Sequence, residues 1–294
     1  MRSWISGFLF AGLLAASPAA AEAPSILDGT MAELSMPQFE AAVARGSVAL
    51  WAIGSIEEHG PHLPLATDVY VPAAQLRLVK ARLKAAGVES LIVPPQYWAV
   101  NRVTGAFHGS IDIRPEVMTA LMEDVFRSLA KAGLREVYCV TGHYDAAHNR
   151  AILAAVRAAN REGRIRAVWV APAGLASRLG VTPGEAGVLV AEMPPPGRPG
   201  YADLHAGEGE TSMMLHAAPA TVDASAMRRL PPTDLTPAEV ARWREGYETA
   251  RTITPDGYLG APAAATAAAG RTRLEAEASA YADAILAGRA ATTP

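Results

Sequence analysis

The sequence predicts an α/β protein, a three-layer α/β/α sandwich with a mostly parallel central sheet. Short apolar runs alternate with stretches of helical period, the pattern of a strand–helix repeat. The apolar runs are continuous, as in strands covered on both faces. Glycine or proline stands at most of the boundaries between them.

The elements follow in order. "GSVALWAIGS" (46–55) reads as a buried strand ending at a glycine. The segment 68–87 has helical spacing, with Val71, Ala74, Leu78 and Leu83 on one face, Pro72 in the first turn and Gly87 as its stop. "SLIVPP" (90–95) is a short strand, and 114–133 a helix with Pro115 near its start and Gly133 past its end. "REVYCVTG" (135–142) is a third strand, 146–163 a third helix and "RAVWVAP" (166–172) a fourth strand. Beyond Pro172 the pattern loosens. Residues 192–210 form a proline- and glycine-rich loop, and 209–219 a short helix. Residues 236–250 form a helix with Thr236 as N-cap, Pro237 first and Glu239 completing a capping box. The alanine-rich 261–269 is a loop or a weak helix, and 273–289 an amphipathic closing helix. With no internal repeat and no linker, residues 22–294 are expected to form one domain.

The first 21 residues are set apart. Arg2 is a short positive region, Trp4 to Ala16 is an apolar core too short to span a bilayer comfortably, and Ala19-Ala20-Ala21 supplies a small-residue cleavage site. Residues 1–21 are thus expected to be a signal peptide. The mature chain would begin near Glu22 and lie in the periplasm or outside the cell, with no stable membrane insertion after the signal is removed. Half of the 294 residues are hydrophobic, net charge is −3, and no basic run stands out, which argues against a nucleic-acid partner. Cys139 is the only cysteine and sits in an apolar strand, as a small buried hydrophobe.

The chemistry concentrates in three stretches. "GSIEEHGPHLPLATD" (54–68) carries Glu57, Glu58, His59, His62 and Asp68; "TGHYDAAHN" carries His143, Asp145 and His148; "LHAGEGE" carries His205, Glu208 and Glu210. The first two follow predicted strands, so they fall on the carboxyl rim where ligands of such sheets gather. Imidazole with carboxylate is the ligand mixture for zinc, manganese or iron(II). Glu57-x-His59 can direct ligands to two neighbouring ions, His143-x-Asp145 repeats the arrangement from a second loop, and Asp68 at a helix start can bridge. The other histidines have less support. His148 reads as a cap or solvent contact, and His216 as structural.

"GSIEEHGPHLPLATD", "FHGSIDIRPE", "VTGHYD" and "HAGEGETSMML" together, in this order between about Val48 and Met214, resemble the creatininase (creatinine amidohydrolase) family. The resemblance implies an α/β/α domain, a dinuclear metal site and a homohexamer. It also implies hydrolysis of a small-molecule amide, at a non-peptide C–N bond in a cyclic amide or formamide, with some members cutting small peptides. It puts metal ligands on Glu57, His59, Asp68 as bridge and His143, and the acid of a His-Tyr-acid triplet on Asp145. His205 matches a proton-transferring histidine, and Glu210 an orienting or ligand-shell acid. Two divalent ions are implied, zinc first, with manganese or iron(II) as alternatives. A metal-bound hydroxide would attack the carbonyl while His205 protonates the leaving nitrogen. The chain departs from the pattern in the shorter Asp145 and in Leu204, where creatinine-hydrolysing members carry an acid. It also lacks a clear match for their substrate-covering tryptophans, since Trp169 lies in a strand and Trp243 well downstream. A small-peptide hydrolase on the same metals, or a non-catalytic periplasmic metal- or ligand-binding protein, are the alternatives.

Overall fold

The computed structural model describes residues 24–182, 184–194 and 202–291; the expected signal peptide, 1–21, lies outside the described residues. The elements in chain order are α1 (Met36–Ala44), β1 (Val48–Ile53), α2 (Thr67–Ala85), β2 (Ser90–Gln96), α3 (Pro115–Lys131), β3 (Glu136–Thr141), α4 (Ala146–Glu162) and β4 (Arg166–Pro172). There follow α5 (Ala173–Arg178), β5 (Val188–Ala191), α6 (Glu208–Ala217), α7 (Ala224–Met227), α8 (Pro237–Trp243), α9 (Tyr247–Ile253) and α10 (Ala267–Ala290).

The five strands form one sheet in the order β2-β1-β3-β4-β5, and every pairing is parallel. Alternation along β1 shows why its run is apolar throughout. Ala49, Trp51 and Ile53 face one layer with Met118 and Phe126 of α3 and Ile152 of α4, while Val48, Leu50 and Ala52 face the other with Leu76 and Val79 of α2 and Tyr281 and Ile285 of α10. Successive strand side chains point to opposite faces, and both faces are covered, so no position can be polar. The result is the expected three-layer sandwich.

From β1 the chain adds β2 on one side and then returns to add β3 on the other. The crevice between the carboxyl ends of β1 and β3 is therefore the switch point where doubly wound sheets bind ligands. Glycines end both strands because the start of α2 lies against them. A Cβ on Gly54 would lie 2.2 Å from the Asp68 carbonyl oxygen, and one on Gly142 2.7 Å from it. That carbonyl is exposed by Pro72, which lies inside α2 rather than in its first turn and has no N–H to offer residue 68. A proline and two strand-end glycines thus set Asp68 over the switch point.

Several boundaries differ from the sequence expectation. The helix expected over 236–250 has its predicted capping box but is two helices, α8 and α9. Gly246, at φ 87°, passes so close to Arg102 that a Cβ would lie 2.3 Å from the Arg102 carbonyl oxygen. The closing helix begins at Ala267 with Thr266 as N-cap, absorbing the end of the alanine-rich segment. The short α1, α5 and β5 were not foreseen; nine, six and four residues carry too little periodicity to separate them from loop.

Candidate metal centre

Asp68 stands at the centre of the site. Its Oδ1 lies 3.3 Å from His59 Nε2 and its Oδ2 3.1 Å from His143 Nδ1, so one carboxylate faces two histidines. The backbone determines which ring nitrogens do the facing. His59 Nδ1–H donates to the Glu57 carbonyl at 3.1 Å, and His143 Nε2–H donates to the Val100 carbonyl at 3.1 Å. A carbonyl only accepts, so each ring spends its proton there in the neutral form, and the other nitrogen turns a lone pair toward carboxylates. Glu57 Oε1 lies 2.9 Å from His143 Nδ1, and Glu210 Oε2 3.8 Å from His59 Nε2. His59 Nε2 is buried and has no hydrogen-bond partner.

Lone pairs facing acceptor oxygens in a buried place need a cation between them. A proton is one solution. Burial opposes charge on His143, but Glu57 and Asp68 outweigh it and raise this imidazole well above its ordinary value. His59 is likewise raised, against burial and the charge of His205, by Asp68 and Glu210. Burial would raise the Asp68 carboxyl, yet His59 and His143 hold it far below the usual carboxylate range. Divalent metal is the other solution, and the donors fall in three candidate groups, one of Glu57, His59 and His205 and two that share Asp68. Of the latter two, Glu57, Asp68 and His143 form one; His59, Asp68 and Glu210 form the other; within each the ligand atoms lie within 4.8 Å of one another. Oxygen and imidazole donors of this kind suit zinc, manganese or iron(II).

The structure thus brings Glu57, His59, Asp68, His143, His205 and Glu210 together and gives Asp145 different work. Asp145 is the N-cap of α4. Its Oδ1 accepts from the backbone N–H of Ala147 (2.7 Å) and His148 (3.1 Å), and its Oδ2 from those of Arg102 (2.9 Å) and Val103 (3.0 Å). Both oxygens are committed to backbone donors, and among the described residues Asp145 joins no candidate ligand group. Asp145, expected from the resemblance to be a metal ligand, here folds its short side chain onto its own helix start. Glu210 stands with His59 and Asp68. The reading of His148 is corrected. It is fully buried rather than solvent-facing, with its ring edge-on to His143 at 4.8 Å. His108 and His216 are exposed.

His205 roofs the centre. An antiparallel bridge to Leu259 holds its backbone, and its ring lies 4.4 Å from that of His59. Its Nε2–H donates to the Glu58 carbonyl at 2.8 Å, with Glu58 Oε1 at 3.3 Å. Burial, the largest single effect, lowers the His205 pKa, but the hydrogen bond and charge of Glu58 with the charges of Glu57 and Glu210 together outweigh it and raise it to about 10. Glu58 was noticed in the sequence without a role; here it is the partner of His205. Thr104 was missed altogether, although its hydroxyl donates to Glu57 Oε2 and fixes that ligand's second oxygen. Trp243 was set aside as too far along the chain, yet its ring lies 6.0 Å from His205 and lines the same cavity. No short motif marks Thr104 or Trp243.

The cavity holds about 780 Å³ of empty space, mouth included. Glu57, Asp68, His143 and Glu210 line it together with His205, and Val103, Tyr144, Leu204 and Trp243 add apolar or aromatic wall. Polar groups converging in a partly apolar cleft are the usual form of a small-molecule site.

Fold and site define the class first: an α/β protein with a candidate metal centre at the switch point of its sheet. The chain belongs to the creatininase (creatinine amidohydrolase) family, whose profile matches residues 32–285. It is 35% identical over 227 residues to the mycofactocin precursor peptide peptidase of Mycobacterium tuberculosis (strain CDC 1551 / Oshkosh), covering 74% of this chain and 76% of that protein. It is 29% identical over 259 residues to the creatinine amidohydrolase of Pseudomonas putida, covering 86% of this chain and 94% of that one. A solved creatininase variant of Zn-Zn type aligns at a TM-score of 0.67 and 26% identity, over 92% of this chain and all of that one.

Proposed function

We propose that this chain is an exported, metal-dependent amidohydrolase that cleaves an amide C–N bond in a small molecule at a dinuclear centre. One observation carries the proposal: the lone pairs of His59 and His143 converge on the two oxygens of one buried carboxylate, Asp68. In this reading Glu57, Asp68 and His143 hold one ion and His59, Asp68 and Glu210 the other. Zinc is the first expectation, with manganese or iron(II) as alternatives. Such ions supply Lewis-acid polarisation of the carbonyl and an acidified water.

The chain's own residues do the rest. Thr104 holds Glu57, and the Val100 and Glu57 carbonyls hold the two imidazoles, so the ligands are oriented before any ion arrives. Glu58 keeps His205 protonated, and His205, on the cavity wall beside His59, delivers that proton to the departing nitrogen. The walls of Val103, Leu204 and Trp243 limit water around the reacting bond.

The bond expected from the family resemblance is a non-peptide one, in a cyclic amide or formamide. A short peptide is the second reading, favoured by the 35% identity to a peptide peptidase. Export rests on the sequence of residues 1–21, and a homo-oligomer, a hexamer, on the resemblance.

The test pairs elemental analysis of the purified mature protein with a panel of lactams, formamides and dipeptides. The expected result is two equivalents of divalent metal and chelator-sensitive hydrolysis of at least one class. Stoichiometric metal without turnover of any member overturns the reading in favour of a binding protein. Terminal sequencing of exported protein should begin near Glu22, and light scattering should give a multiple of the protomer mass.

A further inference from the structure

We infer that the substrate carries a carboxylate, which Arg178 and Arg244 receive at the wall of the cavity. The inference rests on the hydrolase reading for its chemistry, but the binding it predicts can be measured apart from turnover.

Arg178 ends α5, directly after the carboxyl end of β4, and Arg244 caps the end of α8; distant segments thus bring two guanidinium groups to the cavity that holds the acid–imidazole cluster. Arg178 is anchored by an Nη2 donation to the Tyr144 carbonyl at 2.9 Å, which leaves the rest of its planar fork uncommitted. Neither arginine has a carboxylate within 4.0 Å among the described residues, although acids line the same cavity. Asp145, the acid whose charge acts on Arg178, has both oxygens committed to backbone donors. The two arginines also oppose one another: desolvation and then the charge of Arg244 lower the Arg178 guanidinium from its ordinary value. Like charges held together at a binding cavity without an acid partner are relieved by an anionic ligand. A planar fork matches a carboxylate in bidentate fashion. A pair of divalent cations would more than neutralise Glu57, Asp68 and Glu210, so the floor would not repel such a ligand.

The chemical class is an amide bearing a carboxylate on one side of the scissile bond and a modest apolar group for the Trp243 and Leu204 wall. The carboxylate can be the C-terminus of a short peptide or part of an N-acyl amino acid or lactam acid. The recognition chemistry is the same, and the arms of the test separate the sources.

The experiment uses the full metal-loaded protein and matched pairs: dipeptides, N-benzoylglycine and a five-membered lactam acid, each beside its carboxamide. For at least one pair the carboxylate should be preferred at least tenfold in kcat/KM. In Arg178→Gln and Arg244→Gln that ratio should collapse at least tenfold through KM, while Arg178→Lys retains part of it. Calorimetry with the same pairs gives the second readout. If the panel is hydrolysed with no preference for carboxylate, or with a preference unaffected by either Gln variant, the inference falls and the hydrolase reading stands. If nothing is hydrolysed but a carboxylate binds tenfold tighter than its carboxamide in an arginine-dependent way, the inference stands and the hydrolase reading falls. Absence of both effects overturns both.

Discussion

Asp68→Asn removes one charge and almost no volume, and Asp68 is shared by both candidate ligand groups. In metal-free protein the substitution weakens two contacts, 3.3 Å to His59 and 3.1 Å to His143. A hydrogen bond to a charged group contributes about 1.5–3 kcal/mol. His143 keeps Glu57 at 2.9 Å and either ring can shed its proton, so the net loss should be near the low end, about 2 kcal/mol. At roughly 2–4 °C per kcal/mol for a domain of this size, Tm should fall by about 4–8 °C. Metal makes the larger difference. Ligand at about a thousand times its Kd stabilises the native state by about 4 kcal/mol, a further rise of about 8–16 °C for the wild type. The variant should lose most of that increment, because a neutral amide cannot replace a carboxylate facing two ions. Scanning calorimetry with and without zinc, together with elemental analysis, reads both quantities. A variant that retains two equivalents of metal and the full metal-induced shift would refute the shared-carboxylate arrangement.

Three further outcomes are expected. Gly54→Ala places a methyl group 2.2 Å from the Asp68 carbonyl oxygen, so the start of α2 must move; metal affinity measured by competition should fall at least about tenfold, with roughly 1–3 kcal/mol of stability lost in denaturant. His205→Ala should keep its metal by elemental analysis while kcat drops by about 10²–10⁴, and an unchanged rate would remove the proton-transfer role. Glu58→Gln should change the pH dependence of stability in metal-free protein. His205 has a folded pKa of about 10 against an ordinary 6.5, so the native state binds more protons than the unfolded chain between those values. Its contribution is complete below pH 6.5 and is lost as pH rises through 10; the wild-type Tm should therefore decline across that window more steeply than that of Glu58→Gln.

Much of the fold was legible because its signals are local. The apolar runs of β1, β3 and β4 and the glycine after β1 and β3 are read within a window of ten residues, and each strand lies where its run predicts. The acids and histidines after those strands inherited the carboxyl rim from topology, so Glu57, His59, Asp68 and His143 could be grouped before any coordinates. Asp145 shows the limit. Its position in His-Tyr-Asp suggested a ligand, but the choice between ion and helix cap depends on whether two further N–H donors, from Arg102 and Val103, arrive from another loop. Trp243 reaches His205 only because the polypeptide returns across the site between α7 and α10.

The amino-acid sequence alone determined the layered architecture and the rim on which the chemistry lies, because periodicity and strand-end residues act over a few neighbours. Tertiary structure decided which lone pair meets which carboxylate, that Glu210 stands with His59 and Asp68 in a candidate ligand group while Asp145 faces backbone donors, that Glu58 lies against His205, and that Arg178 and Arg244 share the cavity. Those outcomes depend on ångström-scale distances between segments far apart in the chain, such as Asp68 and Glu210, 142 residues apart, and such distances arise only when the whole core has packed.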